Sequence, residues 1–252
     1  MGTMTQPELA KPPVIEIFAD LVWEGDQDYT WDYNTALAFL NSVVPSGRQE
    51  YMSRFSVKGL TKNAKELSLE QAIERVRSWT HDEDACVQIG ASRIVVNRLK
   101  RPQLPTPRFS ELMPVAQRYV DAYCQRFKPK RLLTASLGYV DDIIIPVKGP
   151  IDLKKYFKVG MDFPNDFGPT TGFRLKMTWE VVNIRLQLEI ASRPISTFRF
   201  TWIASGRPDA SEGDDARAAA WLSKLDECHS LLRSRFFASF TDDGLRLFGT
   251  EF

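Results

Sequence analysis

The chain has 252 residues, which is enough to bury a substantial core in one large domain or two small ones. Lys and Arg number 33 against 32 Asp and Glu, so the overall charge balance does not indicate a nucleic-acid partner. Three cysteines without paired spacing, no membrane-length apolar run and no apolar signal segment at the N-terminus together predict a cytoplasmic protein without membrane association.

The first part of the chain alternates strand and helix patterns. Residues 1–13 are polar, contain three prolines and are predicted to form a flexible arm. Ser68-Leu69-Glu70-Gln71 has the form of a capping box and predicts a helix that runs to about Trp79. The other predicted elements are strands over 14–23 and 50–60, a helix over 35–44, and a hairpin of strands 85–89 and 93–99.

The part of the chain after residue 108 again combines long helices with strands. Apolar residues at helical spacing predict an amphipathic helix over Phe109–Phe127, and the longest helix is predicted over 215–240. The alternation over 173–191 changes parity near Val182-Asn183, which indicates a bulge or a turn there. The other predictions are strands over 132–146 and 197–204, one helical turn over 152–157, and loops over 160–172 and 205–215.

Long alternating strands and segregated helices predict an α+β fold rather than a parallel sheet. The order of elements predicts two antiparallel sheet-plus-long-helix halves, residues 14–150 and 151–252, which form two domains or one continuous domain. A short echo between the two long helices, Val120-Asp121-x-x-Cys124 and Leu225-Asp226-x-Cys228, suggests a pseudo-repeat.

The segment Gly138-Tyr139-Val140-Asp141-Asp142 is the one stretch that resembles a catalytic motif, the Tyr-x-Asp-Asp turn of polymerase palms. Such a site needs a third carboxylate on another strand to hold two metal ions. The segment most like the upstream polymerase motif, Asp152-Leu153-Lys154, follows the aspartates along the chain instead of preceding them. We therefore interpret the segment as a core strand in which at least one aspartate faces solvent or is hydrogen-bonded.

No other stretch indicates a metal or cofactor, and none is predicted. The chain has two histidines, and neither has a partner at metal-ligand spacing. His229 is interpreted as a structural histidine at the edge of the core, three residues after Asp226 on the C-terminal helix. The sequence contains no nucleotide-binding glycine loop and no nucleophile elbow.

The candidate binding residues are aromatic and charged side chains at strand ends and on the Tyr-x-Asp-Asp strand. Aromatic side chains are enriched at the centres of protein interfaces, although core packing also accounts for them. The candidates are Trp23, Tyr29, Trp31, Tyr33, Arg98, Tyr139, Asp141 and Asp142.

Several segments together resemble a sporadically distributed, functionally unassigned family of prokaryotic proteins of about this length. They are PPVIEIFADLVWEG (12–25), VVNRL (95–99), GYVDDIIIP (138–146) and LDECHSLLRSRFFASFTDDGLRLFG (225–249). Gly138 and Asp141 stand where that family has Arg and Asn. The resemblance implies no catalytic residue. It implies a role in prokaryotic defence or mobile elements and a sheet-then-helix plan similar to SecB-type export chaperones.

These observations predict a non-enzymatic module that binds another protein, as an antitoxin, a sensor or a chaperone-like component. Sheet edges and the long helix also offer surfaces for a homodimer. Two alternatives remain open. One is a metal-dependent nucleic-acid enzyme that uses Asp141 and Asp142, and the other is a small-molecule or nucleotide-binding module whose sheet and helix enclose a pocket.

Overall fold

The computed structural model describes residues 9–24, 32–58, 68–146, 151–159, 173–193, 196–208 and 214–249. For residues 54–58, 68–73 and 214–219 it describes the backbone alone. The strands are β1 (Val14–Trp23), β2 (Arg48–Lys58), β3 (Ser68–Trp79), β4 (Ala85–Gly90), β5 (Arg93–Leu99), β6 (Leu132–Ile144), β7 (Arg174–Val181), β8 (Ile184–Arg193) and β9 (Thr197–Gly206). The helices are α1 (Tyr33–Val43), α2 (Phe109–Phe127), α3 (Asp214–Ala238) and α4 (Asp242–Arg246), with a single 3-10 turn at Leu153–Lys155.

All nine strands form one antiparallel sheet in the order β2-β3-β4-β5-β1-β6-β9-β8-β7. The α+β class is thereby confirmed, and the sheet dominates the fold. Strands β6 and β9, from opposite sides of the predicted division at residue 150, pair over ten residues from Ala135↔Gly206 to Ile144↔Thr197. Two strands, β2 and β7, form the edges of the sheet.

The core lies between the sheet and the three longer helices. Helix α1 packs on β3 and β4, α2 on β1 and β5, and α3 on β6 and β9. Strand β9 alternates strictly between buried and partly exposed residues, because successive side chains of a strand point to opposite faces. In β9 the buried residues are Phe198, Phe200, Trp202 and Ala204. This period of two places a continuous apolar layer under the helices.

The ends of the helices follow from local chemistry. The Asp32 carboxylate accepts hydrogen bonds from the backbone N–H groups of Asn34 and Thr35, which would otherwise lack partners at the start of α1. Helix α2 has the predicted bounds and ends at Lys128, whose φ of 45° is in the left-handed region. The parity change predicted near Val182-Asn183 is confirmed as a two-residue turn, since β7 and β8 pair up to Val181↔Ile184.

The helix predicted from Ser68 to Trp79 is wrong, because this segment is strand β3, paired along its whole length with β2. Towards the end of the segment, Val76 and Ser78 are buried, which is the period of a strand. The capping-box tetrapeptide is compatible with a helix, but pairing with β2 and β4 determines the structure.

Residues 9–13, the described part of the predicted arm, lie against the C-terminal end of the chain. The Lys11 backbone N–H donates to the Phe248 carbonyl at 2.9 Å, and Leu9 packs against the core. The loop predicted over 160–172 lies outside the described residues, as does most of the loop predicted over 205–215.

Candidate functional site

A cavity of about 340 Å³ lies between the sheet and helix α3, beside the first turn of α2. Strands β6 and β9 form its floor, α3 forms one wall, and residues 9–14 border another side. The exposed side chains of Arg108, Ser110 and Arg233 mark its solvent side. The volume is in the range of sites that hold small molecules.

The floor of the cavity is set by the register of two strands. Tyr139 of β6 lies opposite Trp202 of β9, and Asp141 lies opposite Phe200. Because residues two apart on a strand share a face, Tyr139, Asp141 and Trp202 all face the helix layer. Along most of the sheet this face carries apolar side chains, so the polar groups gathered here are an exception.

The Asp141 carboxyl group is the most unusual group in the cavity. The residue is 1% exposed, and neither carboxylate oxygen has a hydrogen-bond partner among the described residues. Burial, with a smaller contribution from the neighbouring Asp142, raises the pKa of Asp141 to about 8. At neutral pH the group is therefore mainly the uncharged acid.

The Trp202 indole N–H is the second polar group of the cavity that lacks a hydrogen-bond partner. It is buried, lines the same cavity and has no acceptor within the part of the chain that the structure describes. The floor therefore carries a carboxyl group and a nitrogen donor on diagonal positions of neighbouring strands. Both residues line the cavity.

Tyr139 and His229 form a neutral polar pair on one side of the cavity. The Tyr139 Oη and the His229 Nδ1 share a hydrogen bond of 2.7 Å, and the His229 ring stacks on Phe109 with centroids 4.2 Å apart. Burial raises the pKa of Tyr139. Burial, followed by the charge of Arg233, lowers the pKa of His229. At neutral pH both rings are therefore uncharged.

Asp142 has a different environment from its neighbour, because it points to the opposite face of the sheet. Both of its oxygens accept hydrogen bonds of 2.7 Å from the Arg199 guanidinium. The expectation that at least one of the two aspartates is hydrogen-bonded is confirmed by Asp142. Within the described ranges, no three His, Cys, Asp or Glu side chains lie close enough together to hold a metal ion.

The other predicted binding residues that the structure describes lie apart from the cavity. Trp23 is buried and stacks on Tyr123 with centroids 5.1 Å apart, which is a core contact. Tyr33 contacts Tyr51 edge-on, and Arg98 pairs with Asp84. Tyr29 and Trp31 lie outside the described residues. Of the eight predicted residues, the cavity contains Tyr139 and Asp141.

Sequence reasoning did not assign Trp202, His229 or Phe109 to the site. A signal for two of them was present. The TFRFTWIA segment places Trp202 on the same face as Phe200, and His229 belongs to the apolar stripe of α3 at positions 225, 229, 232 and 236. A histidine within an apolar stripe indicated burial, but its partner on β6 depends on tertiary packing.

Comparison of the chain with protein-family models, with curated proteins and with solved structures finds no match in any of the three. The resemblance to an unassigned prokaryotic family stays a prediction. Among the described helices, none combines the length and apolar character needed to cross a membrane.

Proposed function

We propose that the protein binds a small molecule in the cavity between β6, β9 and α3. The main support for this proposal is the carboxyl group of Asp141. Asp141 lines the cavity and is 1% exposed, and neither of its oxygens has a hydrogen-bond partner among the described residues. A buried polar group without a partner costs about 1–3 kcal/mol, and a ligand that supplies the missing hydrogen bonds would recover that free energy.

The surrounding surface supports a ligand with an apolar or aromatic body. Most of the wall residues are apolar, namely Phe109, Leu232, Phe236 and Phe237, and His229 is the polar residue that α3 adds on this side. Binding sites for small molecules commonly combine apolar walls with a few polar groups that fix orientation. The geometry therefore favours the binding module among the alternatives that the sequence left open.

The test uses fluorine NMR on protein labelled with 5-fluorotryptophan. Trp202 lies on the floor of the cavity, while Trp23 is in the core beside Tyr123. The Trp202 signal is assigned with a Trp202→Phe variant. A diverse library of fragments is then screened, and we expect several fragments to shift the Trp202 signal while leaving the Trp23 signal unchanged.

A second variant, Leu232→Trp, places a larger side chain in the same cavity and serves as the blocked control. Fragments that enter the cavity should lose binding in this variant. The proposal fails if no fragment shifts the Trp202 signal, or if the same fragments bind the blocked variant with unchanged affinity.

A second candidate function is binding of another protein at an open edge of the sheet. The edge strands β2 and β7 carry large exposed apolar side chains: Tyr51 is 60% exposed, Met52 47% and Trp179 41%. Exposed edges support strand addition by a partner chain, including a second copy. An antitoxin, sensor or chaperone-like role would use such an edge.

The protein-binding candidate is tested by pull-down from the native host. The wild type is compared with a Trp179→Lys variant, which places a charge on the β7 edge, and with an Ile144→Lys control, since Ile144 is 63% exposed on β6. This function is supported if the wild type and Ile144→Lys capture a stoichiometric partner and Trp179→Lys does not. Equal capture by all three proteins would exclude the β7 edge.

We also propose that the two predicted halves are related as a pseudo-repeat. The strand order supports a repeat whose units begin at β1 and at β6, because in each unit a meander of strands returns to pair with the first strand: β5 with β1, and β9 with β6. Strand β6 precedes the predicted division at residue 150, so the second unit begins before that division. A long helix, α2 or α3, then follows each meander. Superposition of the unit from β1 to α2 on the unit from β6 to α3 tests the hypothesis, which predicts that equivalent strands and the long helices coincide.

A cytoplasmic location is likewise proposed. It is supported by cysteine usage, since Cys86, Cys124 and Cys228 are free thiols and the first and last of them are buried. Fractionation of the native host tests it, and recovery of the protein in a cell-envelope or secreted fraction would contradict it.

A further inference from the structure

The chemical class of the ligand can be inferred from the hydrogen-bond donors that Asp141, on the floor of the cavity, lacks. Both oxygens of Asp141 are without partners among the described residues and lie on a floor whose neighbouring groups are neutral at pH 7. Two parallel N–H donors on one planar group satisfy both oxygens of a carboxylate at once, as in bidentate pairing with a guanidinium. A single carbonyl satisfies neither oxygen of the ionised group.

We propose that the cavity selects ligands that carry an amidine-type edge, meaning two parallel N–H donors on one planar group, bound bidentately by Asp141. Amidinium and guanidinium ions and 2-amino-substituted nitrogen heterocycles belong to this class. This inference rests on the proposed small-molecule function and specifies what that site recognises.

The walls fit a flat body attached to that edge. The indole of Trp202 and the rings of Phe109 and Phe236 line the space above Asp141, and aromatic side chains favour stacked or edge-on contact with a planar ligand. The guanidinium groups of Arg108 and Arg233 lie on the solvent side. The site is thus negative in its interior, when Asp141 is ionised, and positive at its mouth.

Recognition of a cation by Asp141 has a consequence for pH. The carboxyl group must lose its proton before it binds an amidinium, so affinity should rise about tenfold per pH unit until the pH passes the Asp141 pKa of about 8. Two other titratable groups line the cavity with shifted pKa values: burial raises the pKa of Tyr139, and burial lowers the pKa of His229 from 6.5. Both shifts favour the neutral ring, so the rise in affinity between pH 7 and pH 8 reports on Asp141. The guanidinium groups of Arg108 and Arg233 also line the cavity.

Benzamidine is the probe, because its amidinium stays protonated over the whole range and its ring is planar. Binding is followed at pH 6, 7, 8 and 9 by isothermal titration calorimetry and by the Trp202 fluorine signal. Benzamide is the matched neutral compound, since a carbonyl replaces one nitrogen. We expect benzamidine to bind at least tenfold more tightly than benzamide at pH 8, and with the stated rise in affinity from pH 6 to pH 8.

Two variants complete the design. Asp141→Asn keeps the shape but offers one donor and one acceptor, so it should abolish the preference for benzamidine. Asp142→Asn is the matched control, since Asp142 bonds to Arg199 on the opposite face and the preference should survive. The wild-type pH profile tests the same inference without depending on the folding of either variant.

The outcomes separate this inference from the function on which it rests. Equal affinity for benzamidine and benzamide, no binding of benzamidine, or unchanged benzamidine affinity in Asp141→Asn would each overturn the amidine preference. If library fragments nevertheless shift the Trp202 signal, the cavity still binds small molecules of another class. If no compound shifts that signal, the proposed function itself fails.

Discussion

Replacement of Asp141 by Asn should change how the stability of the protein depends on pH. In the unfolded chain the carboxyl group ionises near its ordinary pKa of 3.8, whereas in the folded protein burial raises the pKa to about 8. Between these two values the folded protein binds one more proton than the unfolded chain. The free energy of unfolding therefore falls as the pH rises through this window and levels off above about pH 8.

The size of the effect follows from the same two values. Each pH unit within the window changes the free energy of unfolding by about 1.4 kcal/mol for one proton. From pH 5 to pH 8, three pH units, the wild type should lose about 4 kcal/mol more than Asp141→Asn, which has no proton to lose. This is a large share of the roughly 5–15 kcal/mol that stabilises a typical folded domain.

The assay is urea unfolding of the ligand-free protein, followed by tryptophan fluorescence at half-unit intervals from pH 5 to pH 9. The other titrating groups are common to both proteins, so their contributions cancel in the difference. The lowered pKa of His229 contributes a loss of stability as the pH falls below about 6.5, which is inside the measured range, and this contribution is common to the wild type and Asp141→Asn.

Asp142→Asn is the control variant, because it introduces the same Asp-to-Asn change at the residue next to Asp141. It loses the partly exposed pair with Arg199, which should lower stability by about 1 kcal/mol at every pH, and it should keep most of the wild-type slope. Parallel profiles for the wild type and Asp141→Asn would refute the reasoning, because they would show that Asp141 ionises in the folded protein as readily as in the unfolded chain.

Three further substitutions test other parts of the structure by the same unfolding measurement. Gly138→Ala should destabilise by about 1–3 kcal/mol, because an added Cβ would overlap the Phe18 ring that lies across Gly138, and Phe18→Leu should relieve part of the loss; an unchanged midpoint would contradict this contact. Tyr139→Phe should cost about 1 kcal/mol by removing the partner of His229, and a neutral result would show that the nitrogen finds another partner. Val182→Gly should stabilise by about 1 kcal/mol, because Val182 has a φ of 55° and is 93% exposed, and a loss of stability would show that its side chain makes a contact that matters.

Much of the fold could be predicted because the apolar residues of most helices and strands recur with the spacing typical of that element. The apolar residues of α2 recur at helical spacing over Phe109–Phe127, and those of β9 alternate from Phe198 to Ala204. The element β3 was assigned wrongly because its local sequence contains a helix-start motif at Ser68. It forms a strand because it pairs with β2 and β4. Pairing between distant strands is harder to recognise in a single sequence than the periodicity of a helix.

The candidate site was less predictable than the fold, since its lining residues come from five separate parts of the chain. Tyr139 and Asp141 attracted attention as part of a motif that resembles a metal site. Their neighbours in space, Trp202 and His229, are 61 to 90 residues away along the chain, and only strand register and helix packing bring them together. A single sequence shows which residues face inward, but not which of them meet.

The two adjacent aspartates show how one dipeptide can have two separate roles. Successive residues of a strand point to opposite faces of the sheet. Asp142 pairs with Arg199 on one face, and Asp141 lies on the other face beneath α3, where burial disfavours its charged form. The bulge in β1 between Val14 and Glu16 lies directly opposite Asp141. Bulges are frequent beside functional sites. A paired-metal role would require both carboxylates on one face. The strand geometry instead places a single acid at the cavity, and the proposed recognition of an amidine-type edge rests on that one acid.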